Sequence, residues 1–150
     1  MYGTQNKEPK TKMDKQKVLF VCTHNSSRSQ MAEGLLRAHY GHRYEVYSAG
    51  TQPSGVNPLA IEAMNDLGID LSGHRSDHVD AYADTPMDYV VTVCDSARES
   101  CPFIPALQQN IHHRFEDPSA VNGADAEKLA AFRRIRDEIH TWLDETFGGV

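Results

Sequence analysis

The chain has 150 residues, 39% of them hydrophobic and 24% charged, with a net charge of −6. That suits one folded domain with a core and leaves little room for a second, and no apolar run nears the roughly 18 residues a membrane span needs. An acidic chain is a poor general binder of nucleic acid, whose phosphates call for a basic face, and without an apolar leader the expected location is the cytosol. A small anionic substrate stays open if one site is locally positive.

Residues 1–16 are polar and lysine-rich and read as a disordered tail, leaving 17–150 as the domain. Val18-Leu19-Phe20-Val21 is a continuous apolar run, as in a strand buried on both faces. A polar stretch from Cys22 to Arg28 follows. Ser29 is placed to cap a helix through Met31, Leu35 and Leu36, ended by Gly41. Tyr44 to Ala49 reads as a second strand closed by Gly50. Asn57 is placed to cap a helix through Leu59, Ala63 and Leu67 that Gly68 stops, and Ser76 to start a further short helix. Tyr89 to Val93 is a third buried strand ending at Cys94, and Ile111 to Phe115 a weaker fourth, ending before Asp117-Pro118. Asp125 to Phe147 carries apolar residues at spacings of three and four, the mark of a long amphipathic helix whose Trp142 belongs to the core.

Strands alternating with helices imply a parallel sheet with right-handed crossovers, and such sheets bind ligands at the carboxyl ends of their strands. Cys22, Cys94 and Asp117 each follow an expected strand. Residues far apart in sequence thus share one rim.

The run Cys22-Thr23-His24-Asn25-Ser26-Ser27-Arg28-Ser29 sets a cysteine and an arginine six positions apart, between strand and helix. A loop entering a helix points backbone N–H groups inward and cradles an anion. Arg28 adds a planar fork that grips a tetrahedral oxyanion. The same positive field favours a thiolate at Cys22, and Ser29 is placed to donate a hydrogen bond to that sulfur. A group expelled from the oxyanion needs a proton, which makes Asp117 a candidate general acid; the plainer reading of Asp117-Pro118 is a turn. The loop by itself does not separate phosphate from arsenate.

A phosphatase needs one cysteine, whereas a two-electron reductase needs thiols to supply electrons. The odd count of cysteines argues against a structural disulfide framework. Cys94 and Cys101 lie seven residues apart, about 10.5 Å along a helix axis, whereas a disulfide needs Cα atoms within roughly 7 Å. Pairing them therefore requires the segment to loop out, an order–disorder switch. Pro102 prevents a regular helix from running on past Cys101. A zinc site using the thiols with His112 or His113 is the competing reading, but the spacing is not that of a zinc finger.

These motifs, together with Gln30-Met31-Ala32-Glu33-Gly34, Ser48-Ala49-Gly50-Thr51, Val91-Thr92-Val93-Cys94 and Phe115-Glu116-Asp117-Pro118, resemble the thioredoxin-coupled arsenate reductases. Those are built on the low-molecular-weight protein tyrosine phosphatase fold. The resemblance spans Lys17 to about Phe147. It implies an α/β three-layer sandwich with a four-stranded parallel sheet flanked by helices. It also implies a relay without cofactor. Cys22 attacks arsenate held by the loop amides and Arg28, and Asp117 protonates the leaving oxygen. Cys94 attacks Cys22 and releases arsenite. Cys101 then attacks Cys94, and thioredoxin reduces the Cys94–Cys101 pair. Phosphate or sulfate would compete with arsenate, and the protein is expected to be a monomer that binds neither nucleic acid nor membrane.

The sequence departs from the family at His24, where a glycine is common, and at Ser27, where a cysteine often stands. His24 is expected to be a solvent-facing loop residue. Some members bind potassium, and Asn25, Glu33, Ser48 and Asp77 match residues that hold it. Arg75 stands near an expected threonine and would oppose a cation, so weak or absent potassium and no metal are expected. The alternatives are a phosphatase acting on phosphate monoesters, which would need neither Cys94 nor Cys101, and a non-catalytic anion sensor.

Overall fold

Val18, Leu19, Phe20, Val21 and Cys22 have at most 2% of their surface exposed, which a strand achieves only when both faces of its sheet are covered. The computed structural model describes residues 15–95 and 104–149. In chain order it contains β1 (Gln16–Cys22), α1 (Arg28–Tyr40), β2 (Tyr44–Gly50), α2 (Pro58–Asn65), a 3-10 turn (Val79–Tyr82), β3 (Met87–Thr92), β4 (Ala106–His112), a second 3-10 turn (Pro118–Ala120) and α3 (Asp125–Phe147). The strands form a four-stranded sheet in the order β2-β1-β3-β4, and every pairing is parallel. This is the expected α/β architecture. No helix among the described residues is long and apolar enough to cross a membrane.

Register fixes where the strands end. Cys22 pairs with Gly50, Val21 with Thr92 and Thr92 with His112. The pairing runs past the strands: Val93 N–H donates to Val21 O at 3.0 Å, and Phe115 N–H to Val93 O at 3.0 Å. Cys22, Cys94 and the segment leading to Asp117 therefore leave the sheet along one rim.

Side chains alternate across a strand, so Phe20 and Leu19 face opposite ways. Phe20 meets Phe147 of α3 with ring centroids 6.5 Å apart, and α1 and α2 pack on α3. On the other face Tyr47, the register partner of Leu19, meets Tyr82 of the first 3-10 turn at 5.3 Å. Arg136 is a buried charge in α3; it donates to Ala63 O at 2.8 Å and to Asp66 at 2.9 Å, tying α3 to the end of α2.

Four local expectations are corrected. Helix α1 begins at Arg28 after Ser27 rather than behind a Ser29 cap, and Ser27 makes no side-chain capping bond; the Ser29 hydroxyl is spent on Cys22. Asn57 does cap α2, accepting from Leu59 N–H at 2.8 Å, but the helix stops at Asn65, short of Gly68, whose φ of 73° closes the turn. Ser76 starts no helix: it donates to Asn25 O, and the turn begins at Val79 with His78 as cap. Strand β4 ends at His112 instead of starting at Ile111. It is a sheet edge whose Leu107 to Asn110 are exposed, so it shows no apolar run. The expected tail lies outside the described residues, apart from Lys15 and Gln16, and Gln16 opens β1. Cys101 also lies outside them.

Phe147 is 2% exposed and meets the rings of Phe20, Tyr44, Tyr89 and Trp142 edge-on. Truncating it removes the common partner of four rings. Phe147→Ala is expected to cost about 3–5 kcal/mol of unfolding free energy, read as a lower urea midpoint with an unchanged slope.

Candidate active site

Cys22 is the last residue of β1, and the chain must turn there into α1. Asn25 adopts φ 49°, a left-handed conformation that asparagine tolerates better than most side chains. Its amide holds the turn from inside: Nδ2 donates to Ser29 Oγ at 2.8 Å and to Ser48 Oγ at 2.9 Å. Its Oδ1 accepts from Gln30 Nε2 at 3.1 Å and Asp77 N–H at 3.0 Å. A strap from 52 to 57 backs the outside, with Gln52, Ser54 and Asn57 N–H donating to the carbonyls of Thr23, His24 and Ser26 at 2.8, 3.1 and 2.9 Å. His24 is exposed, as expected, and its Nδ1–H donates to Gln52 O at 3.1 Å.

Gly50 allows this turn. A Cβ there would lie 2.6 Å from Thr23 O and 2.8 Å from Cys22 O, closer than atoms can pack. The Ser48-Ala49-Gly50 motif, carried in the sequence only as part of a resemblance, thus has a steric reason.

The loop opens at the N-terminus of α1, where the first-turn amides face the Cys22 side without a capping side chain. Arg28 reaches across the rim. One guanidinium nitrogen, Nη1, donates to Phe115 O at 3.1 Å and Nη2 lies 3.7 Å from Asp117 Oδ2. Its Nε is buried with no hydrogen-bond partner. A buried orphan donor is costly, and an oxyanion in the loop is the partner that would satisfy it. Asp117 does two jobs: Oδ1 accepts from Ser119 N–H at 3.0 Å and Ser119 Oγ–H at 2.7 Å, capping the turn at 118–120, while Oδ2 faces Arg28. Ser26 and Ser27 hydroxyls lie 3.4 Å from each other.

The two sulfurs meet here. Ser29 Oγ–H donates to Cys22 Sγ at 3.3 Å, Thr23 Oγ1 lies 3.4 Å from Cys94 Sγ, and Cys94 hydrogen-bonds Cys22. The Cys94 thiol, and after it burial, push the Cys22 thiol well above its ordinary pKa; the Ser29 hydroxyl and the Arg28 charge pull the other way. This corrects the expected low pKa. The loop's positive field is present, but a second thiol and burial outweigh it.

Asn25, Glu33, Ser48 and Asp77, which the resemblance sets against potassium, stand together here with their oxygens engaged within the protein. Glu33 Oε1 accepts from Ser48 Oγ at 2.5 Å, and its other oxygen is paired with the Arg37 guanidinium. Asp77 Oδ1 is 2.9 Å from Arg75 Nε, and Asp77 Oδ2 accepts from Tyr82 at 3.0 Å. Burial, and then Asp77, raise the Tyr82 pKa to about 12, so it stays a neutral donor. Both carboxylates are thus paired with guanidiniums, those of Arg37 and Arg75.

The Cys94 thiol is the largest cause of the raised Cys22 pKa, so removing it moves the pKa down and enlarges the thiolate fraction. Cys94→Ala is expected to lower the midpoint of the Cys22 alkylation profile and to speed iodoacetamide labelling at pH 7 by about tenfold or more. An unchanged midpoint would mean that Cys94 does not hold the proton.

The family model for low molecular weight phosphotyrosine protein phosphatases matches residues 17–147. Among curated relatives, the arsenate reductase of Halalkalibacterium halodurans is 46% identical over 127 residues, covering 85% of this chain and 91% of its own. Among solved structures, an arsenate reductase in its phosphate-binding state superposes with a TM-score of 0.73 at 31% identity, covering 89% of this chain and 97% of its own. A low molecular weight protein tyrosine phosphatase from T. tengcongensis reaches the same TM-score of 0.73 at 25% identity, covering 90% of this chain and 99% of its own. The chain belongs to the low molecular weight phosphotyrosine protein phosphatase family.

Proposed function

We propose that this protein reduces arsenate to arsenite in the cytoplasm by a relay of three thiols, Cys22, Cys94 and Cys101, recharged by thioredoxin, and so detoxifies arsenic. The observation that carries the reading is the meeting of Cys94 with Cys22 beside the loop. A phosphatase has no use for a second thiol there. Relatives named as arsenate reductases support the same substrate.

The first steps draw on the geometry around Cys22 and on sulfur chemistry, and the part given to Cys101 and thioredoxin draws on the resemblance to the thioredoxin-coupled arsenate reductases. Arsenate enters the loop, where Arg28 Nε and the first-turn amides of α1 are the donors; Thr23, His24, Asn25, Ser26, Ser27 and Ser29 give the loop its shape. Cys22 first gives up its proton, which an incoming dianion can take once Cys94 turns aside. Its thiolate forms an S–As bond while an oxygen leaves as water, protonated by Asp117. Cys94 then attacks Cys22 Sγ. The S–S bond forms as the S–As bond breaks, and its electron pair goes to arsenic, which leaves as arsenite. Cys101 attacks Cys94 and frees Cys22, and a thioredoxin dithiol returns two electrons to the Cys94–Cys101 disulfide.

A second reading, hydrolysis of phosphate monoesters, draws on the family and on Cys22, Arg28 and Asp117 alone. Cys94→Ser separates the two. A reductase is expected to stop at the covalent Cys22–arsenic adduct, releasing no arsenite, while hydrolysing p-nitrophenyl phosphate at least as fast as the unaltered chain. Multiple turnovers of arsenate by this variant would overturn the relay.

A further inference from the structure

Strand pairing along β3 carries the chain only to Val93. The register decides on which face of the sheet the sulfur of the next residue lies, but the pairing stops before that residue and does not hold its aim at Cys22. The side chains on either side of it do. Thr92, the last residue of β3, and His112, the last of β4, are register partners. Thr92 Oγ1 lies 2.8 Å from His112 Nδ1, and His112 Nε2 lies 3.0 Å from Asp95 Oδ1. The second Asp95 oxygen is 3.3 Å from Arg114 Nε. The imidazole meets both contacts at once, with Nε2–H donating to the carboxylate and Nδ1 against the threonine hydroxyl.

We infer that His112 is a positioning residue for Cys94: by holding Asp95 against the end of β3, it aims the intervening sulfur at Cys22. The inference rests on the relay proposed above. Of the two partners of Asp95, His112 has the firmer hold. Its side chain is 25% exposed and locked to Thr92, whereas Arg114 is 60% exposed, and exposed ion pairs are weak and screened. The bracket also has an electrostatic effect. An unpaired carboxylate beside Cys94 would oppose its thiolate, the form that must attack; the imidazole N–H and the Arg114 guanidinium offset that charge.

The test uses the full chain with His112→Ala and His112→Gln. Three rates are followed: arsenite formation with thioredoxin, thioredoxin reductase and NADPH; p-nitrophenyl phosphate hydrolysis; and diamide-driven closure of the Cys22–Cys94 disulfide in a Cys101→Ser background, in which diamide takes up the two electrons and two protons. His112→Ala is expected to slow arsenite turnover and disulfide closure about tenfold, since misaimed reacting groups are costly, with phosphate ester hydrolysis unchanged. His112→Gln keeps a donor toward Asp95 and is expected to restore most of both. Equal loss of all three rates would make His112 merely structural, and no loss of closure would make it irrelevant; either overturns the inference. Absence of arsenite from the unaltered chain would sink the arsenate reading, and the closure rates would still decide the positioning role.

Discussion

The parallel pairing of β1 with both β2 and β3 is the constraint on which the rest depends. It aligns Cys22 with Gly50 on one side and carries Val93, next to Cys94, alongside Val21 on the other. Slipping β3 by one residue would turn Cys94 to the opposite face of the sheet. The run from Val18 to Val21 and Val90, Val91 and Val93 are buried on both faces of the sheet, and the slip would send Val90, Val91 and Val93, with Tyr89 and Thr92, to the face where their packing partners are not. The hydrophobic core therefore specifies the meeting of two sulfurs that it does not otherwise involve.

Around that meeting point the molecule separates two electrostatic tasks. The loop and Arg28 form a positive, donor-rich cradle with one guanidinium nitrogen left unsatisfied. The sulfur pocket beneath it is buried and holds its proton. An anion entering the cradle brings negative charge to satisfy the first and a base to relieve the second. On this account the resting thiol is held protonated and becomes the stronger nucleophile when its substrate is present. Close by, the acidic residues Glu33 and Asp77 are balanced by Arg37 and Arg75, so the wall behind the loop is neutralised by covalently attached cations.

Much of this was legible in the sequence. The apolar runs before Cys22 and Cys94 fixed two central strands, and the three-and-four spacing fixed the last helix, because burial dictates both patterns. The loop could be read because a cysteine, an arginine and a helix start at fixed spacing have few other uses. What escaped reading depends on contacts across the chain. Strand β4 lies at the edge with polar exposed residues and gives no periodic signal. Ser76 looks like a helix cap by type, yet its hydroxyl goes to Asn25; the bond from Ser29 to Cys22 is legible, but not that Ser29 lies inside the helix rather than at its cap. The sign of the Cys22 shift depends on a neighbour 72 positions away, and the role argued for His112 depends on the register between two strands.

The central claim is that electrons leave through sulfur. It is tested most directly by giving fully reduced Cys101→Ser protein an equal amount of arsenate, with no thioredoxin present, and analysing the products by mass spectrometry. The account predicts one arsenite released per chain and a peptide pair joined through Cys22 and Cys94. Arsenate recovered unchanged, with both thiols still open to alkylation, would contradict it.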